Sequence, residues 1–140
     1  MMSQVFVSGH KSPDTDSIAA ALSYSYLKRR LGMDAVAVRA GEINKESRFA
    51  LDYFNLEEPI LVTSVERKNP EDEKQKVILV DHNESKQTID GMDDAEVLEI
   101  IDHHRFGDFE SENPIFILVR PVGCVNTVIY GSVSYTHLTL

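Results

Sequence analysis

Two segments far apart in the chain combine imidazoles with carboxylates: Gly9-His10-Lys11-Ser12-Pro13-Asp14-Thr15-Asp16-Ser17 and Ile101-Asp102-His103-His104. A third acidic position, Asp81, ends the apolar run Val77-Ile78-Leu79-Val80. Nitrogen and oxygen donors in this mixture suit a pair of hard-to-borderline divalent cations, and such pairs serve phosphoryl chemistry.

Each position also has a plainer explanation. Asp14 and Asp16 precede a helical pattern, where acidic side chains cap the first turn and favour its positive dipole end. What sets them apart is His10 in the same turn, with Pro13 stiffening the loop between them. Asp81 could simply form a turn; it gains weight only if the strands before it and before His10 run parallel. His103 and His104 follow an apolar strand, and neighbours on an extended backbone point in opposite directions. On that geometry one ring can bind a metal while the other faces an anion, and Asp102 can orient the ligating ring. Cys124 reads as a small buried residue near a helix start, Lys28-Arg29-Arg30 as a helix C-terminal charge run, and His137 is given no role.

These residues must be positioned by the elements around them. Gln4 to Ser8 reads as a short buried strand broken at Gly9, and from Asp16 a helix follows, with Ile18, Leu22 and Tyr26 recurring and Gly32 placed to end it. Ala35 to Val38 is a second strand, and Lys45 to Phe54 a second helix with Phe49 and Tyr53 on one face. Pro59 to Val62 gives a third strand. Glu66 to Lys76, charged and carrying Pro70, is a solvated loop. Strands at Val77 to Val80, Val97 to Ile101 and Ile115 to Val119 follow, with a short polar helix from Ser85 to Ile89. This alternation implies an α/β fold, a mostly parallel sheet sandwiched by helices, with ligand sites beyond the carboxyl ends of the strands. All three chemical segments fall at such ends.

Composition narrows the function classes. The 140 residues carry a formal net charge of -9, from 23 acidic against 14 basic side chains. That balance disfavours nucleic-acid binding, which relies on basic residues displacing counterions, and favours cations. A single cysteine excludes an internal disulfide and a thiolate zinc site. No run approaches the ~18 apolar residues of a membrane span and no leader pattern opens the chain, so a cytoplasmic protein without membrane contact is expected.

Together these motifs resemble the DHH phosphoesterase superfamily, marked by Asp102-His103-His104, and more narrowly its manganese-dependent family II inorganic pyrophosphatases. Gly9 to Ser17, Ala50-Leu51-Asp52-Tyr53-Phe54, Val80 to Glu84 and Pro121-Val122-Gly123-Cys124 carry the likeness, which spans residues 4 to about 131. It implies a Rossmann-like DHH domain in which His10, Asp14 and Asp81 hold one cation and Asp16, Asp81 and His103 the other. Asp81 would bridge the pair, and the catalytic residues would be His104, contacting the phosphate and assisting the leaving group, and Asp102. It also implies two Mn2+, with Co2+ or Mg2+ as substitutes, pyrophosphate as substrate, and a homodimer of the full-length protein. Ser12 and Val125 stand where asparagine and threonine are common, and neither departure removes a ligand.

The family pattern calls for one further metal-binding aspartate downstream and for a second domain whose basic residues grip the substrate. Two divalent cations against Asp14, Asp16 and Asp81 leave little positive charge to face a polyanion, so negligible turnover is expected of the chain alone. Residues 1–131 are read as an incomplete N-terminal domain. Val133 to Leu140 resembles a translated sequencing-library adapter, and 132–140 is expected to be a non-native tail, poorly packed, with apolar surface uncovered beside Val119 to Tyr130. Two other readings stand beside this one: an exopolyphosphatase or oligonucleotide phosphatase of the same superfamily, and a noncatalytic metal-binding module that works at this length.

Overall fold

The computed structural model describes residues 3–135. Within it, short runs of β-branched and aliphatic residues form strands β1 (Val5–Ser8), β2 (Ala35–Arg39), β3 (Ile60–Leu61), β4 (Lys76–Val80), β5 (Glu96–Asp102) and β6 (Phe116–Val119). All pair in parallel, in the spatial order β3-β2-β1-β4-β5-β6. The chain therefore winds outward from β1 in one direction, returns, and winds outward from β4 in the other. Where β1 and β4 lie side by side the order reverses, and it is beyond the carboxyl ends of such a strand pair that ligands bind in sheets of this kind.

Alternation along β4 builds both sides of the core at once. Ile78 and Val80 pack with Val5, Val7 and Ile101 under helices α1 (Thr15–Arg30) and α3 (Val125–Tyr135). Val77 and Leu79 pack on the opposite face with Val38, Ile100, Val65 and Ile89. That second face is closed by irregular segments carrying Phe109 and Ile115 and by single 3-10 turns at Ser85–Gln87 and Met92–Asp94. The first of these turns occupies part of the expected Ser85–Ile89 helix.

Helix α1 starts at Asp14, whose side chain accepts from Ser17 N, and ends where Gly32 adopts φ 94°. Of the recurring residues, Ile18 is buried and Leu22 packs against the core, and only Tyr26 turns outward. Ser17, Ala20, Ala21, Tyr24 and Leu27 face the sheet, whereas Tyr26 is 58% exposed. Counting only large apolar residues missed the small ones that let the helix approach the strands closely. On that side Tyr24 Oη donates to Glu99 Oε1 at 2.5 Å and Lys28 Nζ lies 2.6 Å from Glu99 Oε2, tying α1 to β5. Helix α2 (Lys45–Tyr53) does place Phe49 and Tyr53 on one face, but it is the outer one, where the rings stack at 6.0 Å.

Tyr130, Phe116 and Ile117 are exposed. Residues 136–140, including His137, lie outside the described residues, as do the side chains from Val133 onward, so the expected poor packing of the tail falls there.

Candidate metal centre

Asp81 is the hub. Leaving β4, it adopts φ 64°, a left-handed conformation that costs an L-residue about 1–2 kcal/mol. Its N–H donates to Ile101 O at 2.9 Å, which holds the turn against β5. The carboxylate is only 2% exposed, and its two oxygens face two imidazoles from separate elements. Oδ2 lies 3.3 Å from His10 Nε2, and Oδ1 lies 2.9 Å from His103 Nε2. The expectation that the ends of β1 and β4 would bring His10 and Asp81 together is met because those strands are parallel neighbours.

His10 reaches this point through a tight turn. A Cβ on Gly9 would fall 2.0 Å from Ser17 Oγ, the same oxygen that accepts from His10 N at 3.1 Å. Only glycine lets the exit of β1 lie so close to the first turn of α1. Asp14 serves two purposes there: its Oδ1 caps α1 through Ser17 N at 2.8 Å and stands 3.6 Å from His10 Nε2. The atom that caps the helix is therefore also the one that faces His10.

The opposite flank is assembled from distant parts of the chain. His103 Nδ1 donates to Val122 O at 2.9 Å, which directs Nε2 toward Asp81. Asp16 Oδ2 lies 3.5 Å from that nitrogen. Asp16 is also engaged by the start of α3: Val125 N donates to Oδ2 at 2.9 Å, and Asn126 N and Nδ2 donate to Oδ1 at 3.2 and 2.6 Å.

Two expectations for the histidine pair are corrected. The rings of His103 and His104 do not point apart; their centroids are 4.1 Å from each other, because β5 ends at Asp102 and the backbone bends there. Nor does Asp102 orient the ring of His103, which Val122 O already holds. Its Oδ1 instead takes His104 Nδ1 at 2.7 Å and the N–H groups of His103 and His104 at 2.7 and 3.2 Å. Cys124 is half-buried, not buried, with Sγ 3.3 Å from Thr127 Oγ1.

Sequence reasoning passed over Asn83 and Asn126. Buried Asn83 donates to Asp102 Oδ2 at 2.7 Å and to Arg105 O at 3.0 Å, and accepts from Gly107 N at 2.7 Å, so one amide fixes the loop that carries both histidines. Its place two residues after Asp81 was an available signal. Asn126 offered none, because its partner is 110 positions away.

Negative charge accumulates around Asp81, and the titration behaviour reflects it. The hydrogen bond to Asp81 raises the pKa of His10 despite burial, with help from the charges of Asp81, Asp14 and Asp102. Burial works against protonation of His103, but the Val122 carbonyl, Asp81 and Asp16 together lift its pKa above the ordinary value. Burial also raises that of Asp81, assisted by Asp16 and Asp14 and opposed by the His10 hydrogen bond. Protons are thus retained where a cation would relieve the same repulsion.

The donor set fits divalent metals. Two groups of candidate ligands have donor atoms within 4.8 Å of one another, His10 with Asp14 and Asp81, and Asp81 with Asp102, His103 and His104. Asp81 belongs to both, so the groups meet at that one residue. Asp16 stands outside these groups and approaches through His103. Imidazole beside carboxylate, without thiolate, suits a first-row transition-metal ion better than calcium or magnesium alone. Among the described residues, no helix is long and apolar enough to cross a membrane.

Comparison with known proteins places this geometry in a lineage. The chain is 50% identical over 128 residues to an Exiguobacterium protein named "Probable manganese-dependent inorganic pyrophosphatase", covering 91% of this chain and 40% of that one. A Bacillus cereus protein of the same name is 48% identical over 139 residues, covering 99% of this chain and 43% of its own length. The chain thus spans about two fifths of the curated relatives it matches. A crystal structure from Methanococcus jannaschii, described as a candidate family II inorganic pyrophosphatase, superposes with a TM-score of 0.80 at 36% identity, over 95% of this chain and 39% of that one. An exopolyphosphatase-related protein from Bacteroides fragilis shares the fold at a TM-score of 0.65 and 17% identity, over 94% of this chain and 39% of its own. Residues 4–139 match the N-terminal domain of the DHH family, and the chain belongs to that family.

Proposed function

We propose that the complete protein hydrolyses inorganic pyrophosphate to two phosphates, and that this chain supplies the half of the active site that holds two cations. The observation carrying the reading is the pair of imidazoles, His10 and His103, set against opposite oxygens of Asp81. His10, Asp14 and Asp81 would hold one ion, and Asp16, Asp81 and His103 the other, with Mn2+ preferred and Co2+ or Mg2+ as substitutes. Cations bound there supply Lewis-acid polarisation of the phosphate and acidify the attacking water.

The protein's own groups contribute orientation and a proton. Val122 O fixes the His103 tautomer so that Nε2 is the ligating atom. Asp102 fixes His104 through Nδ1, leaving Nε2 of that half-exposed ring to donate to the departing phosphate. Asn83 braces Asp102 in turn. In this reading the chain is part of a longer protein, about two fifths of it as in the relatives, whose other residues include the basic groups that grip the substrate. Alone, the chain binds metal weakly and turns over negligibly. The complete protein acts as a cytoplasmic homodimer, without nucleic acid or membrane as partner.

The test is phosphate release by the complete protein, with manganese, from pyrophosphate, tripolyphosphate and a dinucleotide. Pyrophosphate is expected to be the strongly preferred substrate. Preference for the dinucleotide defeats the assignment, and preference for tripolyphosphate transfers it to an exopolyphosphatase.

A further inference from the structure

Asp16 is held in a way that the DHH motif does not explain. Its Oδ1 accepts from Asn126 N and, at 2.6 Å, from Asn126 Nδ2, which fills both lone-pair directions of that oxygen. Asn126 Nδ2 also donates to the Asp16 backbone carbonyl at 3.0 Å, so one amide grips both the side chain and the main chain of the same residue. On the far side Asn126 Oδ1 lies 3.3 Å from Ser23 Oγ, a hydroxyl whose nearest acceptor is Ala19 O at 2.8 Å. Oδ2 accepts from Val125 N and keeps one lone pair free, on the side where His103 Nε2 lies 3.5 Å away.

We infer that Asn126 is the positioning residue of the second cation subsite: it withdraws Asp16 Oδ1 from ligation and presents Oδ2 toward His103 as a single-oxygen ligand. This rests on the two-cation reading given above. A carboxylate free to rotate about its terminal torsion could offer either oxygen, or swing toward solvent. Clasped between α1 and α3, it can offer only one. The partners behind ligating groups typically govern metal affinity by about 10–100-fold, and Asn126 stands in that relation to Asp16. The first subsite is independent of the clasp, because His10 and Asp14 make no contact with α3 among the described hydrogen bonds.

The experiment is a titration of Mn2+ into the complete protein and its Asn126→Ala variant, followed by electron paramagnetic resonance and calorimetry, with the thermal midpoint recorded in parallel. Wild type is expected to bind two ions that show magnetic coupling. In N126A the second affinity falls by about tenfold or more, the first stays within about twofold, and the coupled signal is lost at equal ion loading. A role confined to stability lowers the melting temperature and leaves the ratio of the two affinities unchanged. That result, or tighter binding at the second site, overturns the inference while leaving the two-cation reading intact. Fewer than two ions in wild type overturns both. If N126A does not fold, Asn126→Ser, tolerated near a helix start but unable to reach Asp16 Oδ1 and O together, carries the same expectation.

Discussion

The two flanks of the candidate metal centre are built by different means. On the β1 side, His10 and Asp14 lie in one turn, four residues apart, and the same Ser17 and Asp14 that close the helix cap also fix the imidazole. On the β5 side, His103 depends on Val122, and Asp16 depends on Val125 and Asn126, contacts that exist only once α1, β5 and the start of α3 have met. One flank forms with its own local structure; the other forms only with the tertiary fold. Asp81, buried between them, is where the two kinds of construction join. The lesson is that a binuclear site need not be uniform: its two subsites can respond to quite different perturbations.

The strongest way to break this comparison is to remove the shared member. Asp81→Asn keeps the shape of the side chain but withdraws a charged ligand from both flanks, and both cation affinities should fall by more than the about 10–100-fold expected for losing a supporting partner. Calorimetry that finds one site unaffected would show that the flanks do not meet at Asp81.

His82 tests the buried floor next to the hub. Nδ1 donates to Val80 O at 2.8 Å, while Nε2 is enclosed without a partner among the described residues and burial pushes the pKa down from 6.5 to about 4. The folded chain therefore keeps this ring neutral at pH values where the unfolded chain protonates it. Its contribution is present above pH 6.5 and is lost as pH falls toward 4, at most on the order of 3 kcal/mol. His10 and His103, with raised values, act with the opposite sign: their contribution is full below 6.5 and lost as pH rises through the folded values. Urea unfolding of metal-free wild type and His82→Asn, which keeps a donor near Nδ1, should show a shallower acid loss in the variant. Equal acid losses would assign the effect elsewhere.

Asn83→Ala should act on the β5 flank alone. It leaves Asp102 Oδ2 and Gly107 N without their partner, at a cost of about 1–3 kcal/mol in stability. It should weaken the His103 subsite while sparing the His10 subsite, as read by the two calorimetric affinities. Equal weakening at both would erase the distinction between the flanks.

The smallest effect separates cap from ligand at Asp14. Asp14→Ser preserves capping and Asp14→Ala does not, so the alanine variant should be about 1 kcal/mol less stable than the serine variant. Both should bind the first cation equally poorly. If the serine variant binds it as wild type does, Asp14 is only a cap.

This division also governs what could be read from the chain in advance. The β1 flank was legible because its members are neighbours in sequence and glycine, proline and the acidic cap carry local signatures. The strand ends were legible too, since Val77 to Val80 is apolar throughout and β4 is buried on both faces. The inward side of α1 was legible at Ile18 and Leu22 but not at Ser17, Ala20 and Ala21, which carry little apolar weight yet are buried. The relation of His103 to His104 was misread because strand geometry was extended past the point where the strand stops. Asn126 left no trace, since a clasp between residues 110 apart is decided by tertiary structure alone.

Anomalous X-ray diffraction from crystals of the chain grown with Mn2+ tests the central claim most directly. The account expects two manganese peaks, about 3.5–4 Å apart as in two-metal sites generally, one beside His10 and Asp14, the other beside His103 and Asp16, with Asp81 contacting both. A single peak away from Asp81, or two that do not share it, would contradict the account.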